Sequence, residues 1–251
     1  MGWLAHRLAQ DGNIVIGAHH HGNTGREPYH AAGFVCGWER ALDLSALLSN
    51  LSDEGPFAGR FDLDRVHAIG FSIGGYTALA LAGALTSMER YFSWAMENGG
   101  FASGPREFPD VASQVPYLLE SSRPFRTSWA RQGESFKDDR IGTVTAIAPA
   151  PPVRAFDEGS VGAISVPVTL VAGEADQEAP SRDCADWLQL ANPTFRRVRV
   201  GNDVGHYTFL GFPAGDVPDD LNFIFSDNPG VNREAVHDAT ADAVLAAFKR
   251  A

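Results

Sequence analysis

Short apolar runs rich in β-branched residues recur along this chain: Ile14 to Ile16, Val66 to Ile69, Val144 to Ile147, Val166 to Val171 and Phe195 to Val200. Patterns of helical period lie between them. Trp38, Ala41, Leu42, Leu44, Leu48 and Leu51 fall near helical spacing, and Gly75 to Leu85 reads as a small-residue helix. Ala235, Val236, Ala239, Val244, Leu245 and Phe248 mark a closing helix over Arg233 to Lys249. Strands alternating with helices predict an α/β chain with a mostly parallel sheet and helices on both faces. At 251 residues with no internal repeat, the expected organisation is a single domain over 1–251.

One connection breaks the rhythm. Glu89 to Arg140 separates the helix after Val66 to Phe71 from the next strand, far longer than an ordinary αβ loop of about 2 to 6 residues. The insertion, 89–140, carries Tyr91, Phe92, Trp94, Phe101, Phe108, Tyr117, Phe125, Trp129 and Phe136. Two readings stand open: a lid-like apolar cover over a pocket, or rings that pack the insertion onto the sheet.

Gly70-Phe71-Ser72-Ile73-Gly74 sits where the second apolar run meets the small-residue helix. A serine hydroxyl is a poor nucleophile unless it is held exposed on a strained turn beside a base, and Gly-x-Ser-x-Gly between strand and helix is the pattern of such an elbow. Gly70, Gly74 and Gly75 are expected to let the helix pack close against the strand, with no room for a side chain at 70 or 74. The Ile73 N–H, next after the serine, is the expected oxyanion donor.

Such a serine needs an imidazole and an orienting carboxylate. The run from Val168 ends in a turn, Gly173-Glu174-Ala175-Asp176, and Asp176 is the expected acid; Glu174, immediately after the strand, is its rival. After Val200 comes Gly201 to Leu210, a loop containing Gly205-His206-Tyr207, and His206 is the expected base. Of the other histidines, His6 and His237 lie in helical patterns, His67 starts a strand and His30 lies in an early loop. The order Ser, Asp, His at the ends of successive strand regions favours His206. His20, His21, Phe71 and Tyr207 are candidates for substrate contact.

Charge and composition narrow the classes. Acidic residues outnumber basic ones by 31 to 20, the net charge is -11 and no basic run appears, which argues against a nucleic-acid partner. No stretch reaches the roughly 20 apolar residues of a membrane span, and no signal-peptide pattern opens the chain. Cys36 and Cys184 read as small buried hydrophobes. Consecutive side chains of an extended segment point in opposite directions, so His19-His20-His21 reads as a polar rim and not a metal site. Neither metal nor cofactor is expected.

With these residues in this order the chain resembles the α/β-hydrolase family. The stretch from Phe61 to Leu79, with Asp138 to Ile141, Ala146 to Pro149 and Gly205 to Leu210, is similar to bacterial proteins described as predicted dienelactone hydrolases, a group similar to platelet-activating-factor acetylhydrolases. The resemblance runs from Trp3 to Phe248. Dienelactone hydrolases use a cysteine nucleophile, whereas Ser72 holds that place here. The resemblance implies hydrolysis of a small-molecule carboxylic ester, with a short acyl chain, through an acyl-serine. A non-catalytic binding relative and an amide or thioester hydrolase are the alternatives.

The resemblance also implies a departure. In the family, a strand ending in a His-Gly loop precedes the helix matched by Trp3 to Leu8, and that loop supplies part of the oxyanion hole. His21-Gly22 falls one strand later. The expectation is a gap between the strand of Ile14 to Ile16 and that of Val66 to Ile69, and a natural start upstream of Met1.

Overall fold

The computed structural model describes residues 1–53, 57–98, 104–106 and 108–249. Its helices are α1 (Gly2–Gln10), α2 (Ala31–Val35), α3 (Glu39–Asp53), α4 (Ile73–Leu81), α5 (Met88–Glu97), α6 (Val115–Ser121), α7 (Arg123–Ala130), α8 (Glu158–Gly162), α9 (Ala185–Ala191), α10 (Asn222–Phe225) and α11 (Arg233–Phe248). Four strands, β1 (Val66–Phe71), β2 (Ile141–Ile147), β3 (Val168–Ala172) and β4 (Arg196–Arg199), form one sheet in that order, every neighbouring pair parallel. The fold is therefore the expected parallel α/β arrangement. The register aligns Phe71 with Ile147 and Ile147 with Val171. The carboxyl ends of β1, β2 and β3 thus finish together at one edge of the sheet.

Side chains alternate across this sheet, so each strand feeds two cores. Val144, Ala146, Val168 and Leu170 join Tyr76 and Leu79 of α4 and Leu188 of α9 on one face. Ile147 and Val171 face the other way, toward Val236 and Val244 of α11 and Leu4 and Leu8 of α1. Every residue of α4 from Gly75 to Leu81 is buried, which is why its sequence is small and apolar all round rather than striped. No helix among the described residues is long and apolar enough to cross a membrane.

Ile14 to Ile16 forms no strand. A strand exists only through a partner for its backbone groups; β1 pairs with β2 alone among the described residues, and Ile14 and Val15 are 50% and 40% exposed. The described aromatic residues of the insertion have different surroundings. Trp94, Phe125 and Phe136 are buried in packing, and Trp129 lies against Trp38, whereas Tyr91 and Phe92 line a cavity and Tyr117 is exposed. Phe101 lies outside the described residues.

Candidate active site

The turn from β1 into α4 is strained at one residue. Ser72 caps α4 with φ 55° and ψ −120°, a conformation costly for any side chain but glycine's. Three backbone bonds hold it there: the Ser72 N–H donates to Ile147 O at 2.9 Å, and Ser72 O accepts from Gly75 N at 2.8 Å and Ala150 N at 3.2 Å. A Cβ on Gly70 would stand 1.9 Å from the Gly74 carbonyl oxygen, and one on Gly75 would stand 3.1 Å from Pro149. Gly74 is different: a Cβ there meets nothing within 4 Å. The expectation that position 74 must lack a side chain is thus incorrect; Gly74 contributes its backbone oxygen to the crowding at Gly70, and its own Cα direction is open.

The acid and histidine loops are joined before they reach the serine. Ala175 N–H donates to Val204 O at 3.1 Å and Glu174 N–H to Gly201 O at 3.0 Å. A Cβ on Gly173 would lie 2.1 Å from Val204 O, so only glycine lets the two loops approach this closely. Glu174, the rival acid, turns outward and pairs with Arg197 at 3.0 Å and Arg199 at 3.1 Å. Asp176 turns inward and is 4% exposed; its Oδ1 accepts from Ala179 N at 2.7 Å. Its Oδ2 lies 2.8 Å from His206 Nδ1, and His206 Nε2 lies 2.9 Å from Ser72 Oγ. An ionised carboxylate only accepts, so Nδ1 carries the proton and Nε2 faces the serine hydroxyl as an acceptor.

A second layer anchors the histidine loop. Thr208 donates to Asp227 Oδ1 at 2.7 Å, and Asp227 is gripped by Arg233 of α11 at 2.8 and 3.0 Å. His237 Nε2 meets the carbonyls of Thr208 and Leu210 at 3.0 and 2.9 Å, so that nitrogen bears hydrogen. Trp3 of α1 stacks on His237, ring centroids 3.9 Å apart, and donates to Phe209 O. Phe71 packs beside His206 with ring centroids 4.8 Å apart.

Ser72, Ile73, His206 and Tyr207 open onto a cavity of about 500 Å³. As the first residue of α4, Ile73 has no carbonyl one turn back to receive its N–H. Phe34 and Val35 of α2, Met88, Tyr91 and Phe92 of α5, and Val111 and Val115 complete much of the wall, with Asn23, Arg106, Gln177 and Glu178 also on it. Among the candidates for substrate contact, Tyr207 lines this cavity and His20, His21 and Phe71 do not. His20 bonds Asp43 at 2.7 Å and His21 bonds Glu27 at 3.1 Å, while His19 reaches Thr24. The three consecutive imidazoles thus diverge to separate partners. Burial pushes the Cys36 thiol up to about 11 and the Cys184 thiol upward too, so both remain neutral.

No family model matches the chain, and no curated protein matches it. Solved structures similar to it are hydrolases. The esterase domain of a Rhodothermus marinus protein is 16% identical, with a TM-score of 0.40, over 84% of this chain and 67% of that one. A hydrolase from Pseudomonas aeruginosa PA01 is 17% identical, with a TM-score of 0.43, over 100% of this chain and 85% of that one. A thioesterase domain from the curacin biosynthetic pathway is 16% identical, with a TM-score of 0.31, over 88% and 77%.

Asn23, Arg106, Gln177 and Glu178 carried no signal in the sequence as site residues. They come from three loops whose local patterns are ordinary, and only the folding of those loops near the elbow brings them to one cavity. The aromatic density of the insertion was the one available pointer, and Tyr91 and Phe92 are where it led.

Proposed function

We propose that this chain is a serine hydrolase of the α/β-hydrolase type that cleaves carboxylic esters through an acyl-serine. The observation that carries the reading is the continuous hydrogen-bonded line from Ser72 Oγ through His206 to Asp176, 2.9 and 2.8 Å, beginning at a strained serine between strand and helix. The similarity of the Phe61 to Leu79 stretch to predicted dienelactone hydrolases and platelet-activating-factor acetylhydrolases agrees with it.

In this mechanism Ser72 Oγ attacks the ester carbonyl while His206 Nε2 takes its proton. Asp176 holds the imidazole in the required tautomer and stabilises the imidazolium. The Ile73 N–H donates to the oxyanion that develops. The imidazolium then protonates the departing alcohol, and water activated by His206 releases the acid from Ser72. Tyr91 and Phe92 of the insertion face the cavity and shield part of this exchange.

A fluorophosphonate probe tests the reading directly. Mass spectrometry is expected to find the adduct on Ser72, together with release of p-nitrophenol from p-nitrophenyl esters. A folded protein that neither labels nor turns over would make the site a binding cavity.

A further inference from the structure

The cavity beside Ser72 separates into a charged rim and an uncharged interior. Arg106 and Glu178 are the Asp, Glu, Lys or Arg residues on its described wall, and they neutralise each other at 2.7 Å. Arg106 is 52% exposed, which sets this pair at the mouth. Inward stand Tyr76, Val111 and Val115, all buried, with Met88 and Tyr91 beside them. Tyr76 gives its hydroxyl to a bond with Thr86. Burial pushes the Tyr91 hydroxyl up to about 12, so it too is neutral. A charged group entering this zone would lose its water, and the described wall there offers no Asp, Glu, Lys or Arg side chain to pair with it.

Volume sets the capacity. An apolar cavity of about 150 Å³ takes up benzene, and this one measures about 500 Å³. On that scale an ester group and a chain of about eight carbons fit with space to spare. Chemistry decides which half of the ester lies inside: the alcohol must depart and water must enter through the open side, while the acyl group stays bonded to Ser72 between the two steps.

We propose that Ser72 acts preferentially on esters whose acyl group is uncharged, apolar and at least about six carbons long, not on the short acyl chains that the family resemblance implies. The inference rests on the hydrolase reading above. Each methylene moved from water into this zone raises kcat/KM by about fourfold while space remains, and the gain stops when the chain outgrows the cavity.

A p-nitrophenyl ester series from acetate to laurate tests it, run beside fluorophosphonate labelling of Ser72. The expected result is a rise in kcat/KM of at least about tenfold from acetate to octanoate. An eight-carbon acyl chain ending in a carboxylate is expected to react at least about tenfold more slowly than octanoate. Labelling of Ser72 with a maximum at acetate, or equal rates for the charged and uncharged chains, overturns the inference and leaves the hydrolase reading standing. No labelling and no turnover of any ester overturns both.

Ala112→Trp, on the cavity wall, is expected to lower the octanoate-to-acetate ratio of kcat/KM by at least about tenfold, and a folded variant with an unchanged ratio counts against the inference. Competition by alkylboronic acids on the unaltered protein gives a second measurement. Octylboronic acid is expected to inhibit at least about tenfold more tightly than methylboronic acid, and equal inhibition overturns the proposal.

Discussion

The carbonyl oxygen of Gly74 lies 1.9 Å from where a Cβ on Gly70 would stand, although Gly74 itself faces open space. Strand β1 and helix α4 thus touch backbone to backbone immediately below Ser72, and the two glycines of the elbow have unequal roles. Gly70→Ala is expected to destabilise the protein by about 3 kcal/mol or more, because backbone must move to admit the methyl group. Gly74→Ala is expected to cost nothing and to gain up to about 1 kcal/mol of helix stability. Urea unfolding of both variants checks the asymmetry; equal losses would refute it.

Ser72 sets function against stability. With φ 55° it occupies backbone space suited to glycine, at a cost of about 1 to 3 kcal/mol. Ser72→Gly is therefore expected to abolish ester turnover and fluorophosphonate labelling while raising Tm. Ser72→Ala is expected to abolish both without that gain, since it keeps a Cβ on the strained backbone.

The two neighbouring carboxylates separate cleanly. Asp176→Asn is expected to lower kcat by about 10⁴, because the amide no longer holds His206 in the tautomer that accepts the serine proton. Glu174→Gln is expected to leave kcat within about twofold and to cost about 1 kcal/mol through its arginine partners. Steady-state kinetics with unfolding curves distinguishes them, and the reverse pattern would exchange their roles.

Arg233 and Asp227 anchor the loop that carries His206, with Arg233 5% exposed. Arg233→Met leaves the Asp227 carboxylate with only the Thr208 hydroxyl and is expected to cost about 2 to 4 kcal/mol, with Arg233→Met/Asp227→Asn recovering part of the loss. A double variant no more stable than the single one would argue against a charge-specific clamp.

Acid is expected to loosen the same region. Burial holds the His237 pKa below its ordinary value, so the unfolded chain binds a proton more readily than the folded one. Stability is then fully present above the ordinary histidine range near about pH 6.5 and declines as pH falls below it. His20 and His67 are shifted the same way by burial. Tm is expected to drop between about pH 7 and 5, and His237→Gln to flatten part of that slope. An unchanged slope in the variant would remove His237 from the account.

The elements that stand out in sequence are those whose partners are guaranteed by their own pattern. Buried runs such as Val168 to Ala172 have only one way to satisfy their backbone once helices cover both faces, and β1 to β4 follow. Ser72, Asp176 and His206 could be named because each lies just beyond a strand, and parallel register carries those ends to one edge. Ile14 to Ile16 has the same composition but pairs with no strand among the described residues, and composition does not encode a neighbour.

What the sequence by itself determined is the alternation of strand and helix, the order of Ser72, Asp176 and His206, and the strained turn that exposes the serine, because periodicity and local backbone chemistry are short-range. Tertiary structure alone decided that Glu174 turns to Arg197 and Arg199 while Asp176 turns to His206, that Gly70 rather than Gly74 is the crowded glycine, and that His20 and His21 bond Asp43 and Glu27. Those outcomes depend on which atoms from distant segments arrive within a few ångströms of one another, and close packing settles that only when the whole chain is folded.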